Sequence, residues 1–412
     1  MERPYPKVIC NEKAARLLRS GHPWVYGEET RGPESAYENG SIVDVYTGKG
    51  RWMGAGFIND ASKIRVRVIS RNTNDRFDEA FWRRRIEHAV SYRRTVMGET
   101  DFRCCRLIFG EADSFPGFTV DRFEDVLVTE VLSLGIEARK DLLYRLLREV
   151  LADYGVQVRC IYERNESPLR EKEGMQTGKG CAFGGPGSGC VEIVENGLRY
   201  EVDFVNGQKT GFFLDQKYNR LAAAKLAEGK TVLDCFTHTG AFGMNCAKAG
   251  AKQVLSVDIS EDACGRSRKN IAANGLEGVQ SVLCRDVFDL LTDLADGKRP
   301  EGVPQGKHPF DFIILDPPAF TKSRETAGAA FRGYKEINLK AMKLLPRGGY
   351  LATCSCSHFM GPQMFEKMLK EAASDAGVSL RQIEERRQAP DHPILWGVPE
   401  TEYLKFWLFQ VV

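Results

Sequence analysis

Hydrophobic and polar positions change rhythm twice along the chain. To about Arg71 the pattern is one of short strands and turns. Ser41–Tyr46 and Ile64–Ile69 both alternate, and the second sets arginines on one face with apolar residues on the other. Gly50–Phe57 reads as a glycine-interrupted strand between them. Asn11–Arg19 predicts a short basic helix, leading into a turn and an aromatic strand over Ser20–Tyr26. The period then lengthens. Residues 77–96 predict a helix with Phe77, Phe81, Ile86 and Val90 near one face. A second helix is marked by Leu142, Leu143, Leu146, Leu147, Val150 and Leu151. Strands are expected around Arg106–Phe109, Val126–Val131 and Val158–Glu163. Residues 170–190 are rich in Gly, Ser and Lys. They lack the terminal Gly-Lys-Ser/Thr of a phosphate loop and open no helix, so they read as a flexible loop.

From about residue 200 apolar strands alternate with helices. The strands fall at Thr231–Leu233, Gln253–Val257, Ser281–Leu283, Asp311–Leu315 and Tyr350–Thr353, and the helix after Ser260 stops at Asn274-Gly275. Such alternation predicts an open parallel sheet with helices on both faces. The expected architecture is α/β multidomain: a small β-rich domain over 1–72, a central α+β domain over 73–195, and a Rossmann-like domain over 196–412.

Composition narrows the class. At 412 residues, 42% hydrophobic and 28% charged, the chain has ample material for folded cores. No run of apolar residues is long enough for a membrane helix. The Met1–Pro6 segment has no apolar core behind its charges, so a soluble, cytoplasmic protein is expected. The 12 cysteines form no CxxC pair, which predicts reduced thiols and no metal centre. A net charge of +2 excludes a strongly basic nucleic-acid coat. The first 72 residues hold 12 Lys/Arg against 8 Asp/Glu, however, so the surplus sits on the β-rich module.

The strand ends carry the candidate chemistry. Asp234 and Asp258 end the first two strands, Asp286 and Asp316 follow the third and fourth, and Cys354 and Cys356 follow the fifth. In open α/β sheets ligands bind at the carboxyl ends of the strands, so these groups are expected to line one site. The turn Asp234–Gly243 keeps only Gly240 and Gly243 and sets Phe236 where a dinucleotide loop has glycine. It suits a ligand without phosphates, such as S-adenosylmethionine. Asp258 is expected to accept from ribose hydroxyls and Asp286 from an adenine amino group.

The run Asp316-Pro317-Pro318-Ala319-Phe320 after an apolar strand resembles the fourth motif of class I methyltransferases. Taken in order, Gly21–Tyr26, Phe115–Arg122, Asn206–Gln216, Ser355-Cys356-Ser357 and Gln388–Pro393 resemble the cytosine-C5 ribosomal RNA methyltransferases that carry an N-terminal PUA domain. The resemblance spans nearly the whole chain. It implies S-adenosylmethionine as cofactor, RNA as partner (large-subunit ribosomal RNA above all), and Phe212 and Gln216 beside the cofactor. It also implies Cys356 as nucleophile, with Asp316 holding the base near N3 and N4. Chemistry asks for the thiol independently: C5 of cytosine attacks a sulfonium methyl only after a thiolate has added to C6. Thr353-Cys354-Ser355 also spells a nucleophile motif of other RNA cytosine methyltransferases, so Cys354 stays in play. Lys13, Arg16, Arg19, Arg65 and Arg67 are the candidate RNA contacts, with Trp24 as core or stacking surface. Two alternatives remain open: N-methylation of a purine with the same cofactor, and a non-catalytic RNA-binding assembly factor. Oligomeric state is open too, a homodimer included.

Overall fold

In a computed structural model, residues 3–33, 35–321, 323 and 325–412 are described; Met1 and Glu2 of the N-terminal segment lie outside them. The chain forms two compact units. The first comprises Met1–Ile193, Val202–Leu214 and Pro390–Thr401; the second comprises Val194–Glu201, Asp215–Ala389 and Glu402–Val412.

The first unit holds two sheets. A six-stranded sheet runs in the order Trp24–Val25, Val66–Ser70, Trp52–Ile58, Ile42–Thr47, Lys7–Cys10, Thr30–Arg31. Helix Glu12–Ser20 is capped by Asn11, whose side chain accepts from the Ala14 N–H, and ends on Gly21 at φ +110. Its buried face, Ala14, Ala15 and Leu18, packs with Val8, Val43, Val45 and Val66. A five-stranded sheet follows in the order Gly178–Gly184, Cys160–Asn165, Val126–Val131, Phe118–Phe123, Cys104–Phe109, accompanied by helices Glu79–Phe102 and Lys140–Asp153. The first of these helices outruns its expected end, with Gly98 at φ +71 interrupting its last turns.

The Gly/Ser/Lys-rich stretch is a correction. Gly178–Gly184 pairs antiparallel with Cys160–Asn165 as an edge strand. Its glycines and lysine carry no alternating apolar signal, because backbone hydrogen bonds supply the pairing and most of its side chains face solvent.

The second unit is built on seven strands: β1 (Thr231–Cys235), β2 (Gln253–Asp258), β3 (Gln280–Cys284), β4 (Phe312–Leu315), β5 (Tyr350–Ser355), β6 (Leu380–Arg386) and β7 (Lys405–Val411). Their order is β3-β2-β1-β4-β5-β7-β6. The first five are mutually parallel, and β7 is antiparallel to both β5 and β6. The β6–β7 pair goes beyond the five expected strands. Strand β4 is buried throughout, as a central parallel strand covered on both faces must be. One layer of core joins β1, β2, β4 and β5 to helices Val287–Ala295, Ala327–Leu344 and Pro362–Ala376; the other joins them to helix Ala241–Lys248. Between β1 and β4 the winding reverses, and the loops leaving the carboxyl ends of neighbouring strands part to form a crevice.

Candidate active site

Asp234 is fully buried. Its Oδ2 accepts from the Gly243 N–H at 2.9 Å, from Ser256 Oγ at 3.1 Å and from the Thr237 hydroxyl. Burial pushes its pKa up to about 6, against the pull of these three donors. It therefore ties the β1 loop to the start of the next helix, and its reach is inward. The loop itself is strained open: Phe236, His238 and Gly240 all have positive φ, at 61, 52 and 87. For the two non-glycine residues this is the conformation that ligand-holding turns store. Gly240 has no room for a side chain, since a Cβ there would meet Ser267 Oγ.

Asp258 stands half-buried at the end of β2. Its Oδ2 accepts from the His238 N–H at 2.9 Å and its Oδ1 from the Ser260 N–H at 3.0 Å, which leaves acceptor capacity on both oxygens. Asp286 caps the helix Val287–Ala295 by accepting from the Asp289 N–H at 3.1 Å. Phe236 packs with Phe288 and Phe320, ring centroids 6.3 and 6.5 Å away, as a half-exposed aromatic wall. His238 is held neutral, its pKa lowered to about 4 by burial and by Arg220 and Arg266.

Gln216 does not stand alone in the site. Its Nε2 donates to Asp316 Oδ1 at 2.9 Å, and its Oε1 accepts from Asn219 Nδ2 at 2.6 Å. Arg386 Nε in turn donates to Asn219 Oδ1 at 2.9 Å. This relay fixes the Asp316 carboxyl at the end of β4. Burial, with the like charge of Asp215 behind it, pushes the Asp316 pKa up to about 7.

The two cysteines part company. Cys354 is fully buried inside β5, and burial drives its thiol well above the ordinary value. Cys356 leaves the strand end half-buried, its Sγ 4.0 Å from the Pro317 carbonyl of the Asp316-Pro317-Pro318 run. A thiol beyond a strand end can meet a ligand; one in the sheet core cannot. Phe212 is buried, in the Val202–Leu214 segment of the first unit. Asp215, Phe288, Phe320 and Lys405 were not singled out from the sequence. Phe320 and Asp215 lie in runs that were quoted, while Lys405 had no local signal.

The donor set suits an adenosine-type cofactor. Among the described residues Asp234 Oδ1, Thr239 Oγ1, Ser267 Oγ and Gln280 Oε1 are buried polar atoms without a partner around the β1 loop. Carboxylates end or follow β2 and β3, and an aromatic wall closes the far side. Residues 178–409 match the S-adenosylmethionine-dependent methyltransferase family, and residues 8–71 match the PUA-like domain. The chain belongs to the S-adenosylmethionine-dependent methyltransferases. S-adenosylmethionine is its cofactor. This methyltransferase is 35% identical over 409 residues to ribosomal RNA large subunit methyltransferase I of Klebsiella pneumoniae subsp. pneumoniae, covering 99% of each chain. It is 40% identical over 391 residues to the Aeromonas hydrophila protein of the same name, covering 94% of this chain and 95% of that one. A solved methyltransferase complexed with SAH superposes with a TM-score of 0.81 at 21% identity, over 98% of this chain and 100% of that one; at this identity it bears on the fold alone.

Five basic residues were expected to grip RNA. Arg67 is buried, paired with Glu173 at 2.7 Å and Glu111 at 3.5 Å. Arg65 is committed to Asp60, Thr30, Tyr37 and the Gly32 carbonyl. These two hold the first unit together. Lys13, Arg16 and Arg19 are exposed on helix Glu12–Ser20, with Lys13 reaching Glu29 at 2.8 Å and Arg19 reaching Glu12 at 3.5 Å. Trp24 is half-buried: its Nε1 donates to Glu111 at 2.9 Å and its ring meets the edge of His22. The aromatic surface lies elsewhere, at Trp396, which is 97% exposed on a turn held by Thr401. No helix among the described residues is long and apolar enough to cross a membrane.

Proposed function

We propose that this methyltransferase transfers a methyl group to C5 of a cytosine in RNA, of the large ribosomal subunit, through a covalent adduct of Cys356 at C6. The relatives' shared name supports the ribosomal RNA substrate. The observation that carries the C5 chemistry is the placement of Cys356 beyond the end of β5, against the Pro317 carbonyl next to Asp316. The three-domain division at residues 72 and 195 stays part of this reading.

Asp258 and Asp286 would hold the ribose and adenine of the cofactor, with Phe236 and Phe288 as the apolar wall. Asp234 and Gly240 act one step back, shaping the loop. Gln216 acts through Asp316. When bound, S-adenosylmethionine supplies an electrophilic methyl on sulfur. Cys356 adds as thiolate to C6, and the electron pair displaced from the C5–C6 double bond flows toward N3. Asp316, with a pKa near 7, still carries a proton in much of the population at neutral pH and can donate it to N3. The resulting enamine carries nucleophilic character at C5, which takes the methyl. Loss of the C5 proton to solvent then expels the Cys356 thiolate, and the N3 proton returns to Asp316. Exposed Lys13, Arg16 and Arg19 would meet phosphates, and Trp396 an unpaired base.

RNA carrying 5-fluorocytidine tests the route, because fluorine at C5 cannot leave as a proton and the adduct persists. Wild type and Cys354→Ala should each give a cysteine-linked adduct, and Cys356→Ala none. Adduct formation by Cys356→Ala but not by Cys354→Ala moves the nucleophile. Methyl transfer by both variants at the wild-type rate removes the C5 mechanism and favours an amino-methylating enzyme.

A further inference from the structure

Lys405 is the first residue of β7 and lies directly across from Ser355 in the antiparallel β5–β7 register. That register sets its side chain beside the strand end from which Cys356 departs. Only 2% of Lys405 is exposed. Its Nζ donates to the Ser357 carbonyl at 2.7 Å and to the Tyr403 carbonyl at 2.7 Å. Tyr334 clamps the same loop from the other side, its hydroxyl 2.9 Å from Ser357 Oγ. Cys356 is thus flanked by residues that are pinned, and the pin on the β7 side is a buried ammonium.

A buried ammonium is costly unless a counter-charge meets it. Two carbonyls satisfy two of its three donors, and among the described residues no carboxylate lies within ion-pair distance of it. The charged and titratable groups around it are Cys356 on the β5 loop, Arg387 after β6 and Glu402 before β7. Arg387 and Glu402 pair with each other at 2.8 Å. Cys356 also faces Tyr334, from helix Ala327–Leu344, and Cys354 within β5. Of these neighbours the Cys356 sulfur is left as the group whose ionisation would complete the Lys405 environment.

We propose that Lys405 is a positioning residue that fixes the Ser355-Cys356-Ser357 loop and holds Cys356 as a thiolate through its ammonium charge. The thiol proton leaves to solvent, the ammonium keeps its own, and no bond to Lys405 forms. Burial lowers the Lys405 pKa to about 8, with Cys356 drawing it back up, so the charge is present at neutral pH. The proposal rests on Cys356 as the nucleophile.

Alkylation of Cys356 by iodoacetamide, read by peptide mass spectrometry from about pH 6 to pH 10 on the full chain, tests it. Wild type should show a midpoint below the ordinary thiol value of about 8.5. Lys405→Met should raise the midpoint by about one unit or more, and Lys405→Arg should restore it. A wild-type midpoint at or above about 8.5 overturns the proposal with no variant needed. Superimposable wild-type and Lys405→Met profiles overturn it as well. The 5-fluorocytidine trap on wild type reads the nucleophile assignment separately. An adduct with unchanged alkylation profiles refutes Lys405 alone, and a lowered midpoint with no adduct refutes the C5 route while the ion pair stands.

Discussion

The substitution Gly243→Ala adds one methyl group to the first turn of helix Ala241–Lys248, where it abuts β1 and β2. A Cβ at this position would lie 2.5 Å from Ser256 Oγ, 2.5 Å from Gln280 Nε2 and 2.9 Å from Asp234 Oδ2. Those atoms are not the free ends of flexible chains. Gln280 Nε2 donates to Ser256 Oγ at 2.8 Å, and Ser256 Oγ to Asp234 at 3.1 Å. Alanine's advantage in a helix is worth roughly 0.5–1 kcal/mol. Overpacking costs about 1–3 kcal/mol, and a buried hydrogen bond broken to make room costs about as much again. The expected balance is a loss of about 3 kcal/mol, or roughly 6–12 °C in the melting of a unit this size. Gly265→Ala is the matched control. Gly265 sits in helix Glu261–Ala273 with nothing within 4 Å of its would-be Cβ. There the same change should stabilise by about 0.5–1 kcal/mol. Differential scanning calorimetry of the full chain reads both, following the transition that S-adenosylhomocysteine shifts upward, since that ligand marks the cofactor unit. Gly243→Ala should also weaken S-adenosylhomocysteine in titration calorimetry. If Gly243→Ala raised the melting temperature as Gly265→Ala does, the close helix–strand contact and the loop geometry built on it would be refuted.

In the proposed mechanism Asp316 donates a proton, so the single-turnover rate should fall as pH rises through about 7; Asp316→Asn should lower the rate and flatten that limb, and an unchanged limb excludes Asp316 as the proton donor. Trp396→Ala should weaken binding of unpaired RNA by about 1–3 kcal/mol with the salt slope unchanged, measured by fluorescence anisotropy against salt; a changed slope with unchanged stacking would move Trp396 out of base contact. Arg16→Gln should reduce that slope by about 0.7 per lost phosphate contact. Arg67→Leu strands the buried Glu173 and should cost the first unit about 3–5 kcal/mol by thermal melting; a stable variant with a reduced salt slope would return Arg67 to the RNA surface.

Much of the second unit was legible in the chain because its signals are local. Apolar runs of strand length, helix caps such as Ser260, and a polar residue at each strand end all depend on near neighbours in sequence. Five strand ends carrying Asp or Cys therefore pointed to one edge before any pairing was known. The sheet order then explains why that edge is a candidate site: β1 and β4 lie side by side, and so bring the strand ends at Asp234 and Asp316 together from positions far apart in sequence.

What tertiary structure alone decided is which of these groups are buried and paired and which stay accessible. Asp234 looks like Asp258 in sequence, yet burial turns it inward to hold the loop. Cys354 and Cys356 stand two residues apart in the same motif, and one step past the strand end separates a core thiol from a reachable one. Arg65 and Arg67 belong to a basic stripe until Asp60, Glu111 and Glu173 close on them. Lys405 has no neighbours in sequence that mark it; the β5–β7 register sets it opposite Ser355, and its Nζ reaches the Ser357 carbonyl beyond Cys356. Composition and periodicity report propensity and spacing along the chain. Burial and counter-charge are properties of what packs against a residue, and that is decided only when distant segments meet.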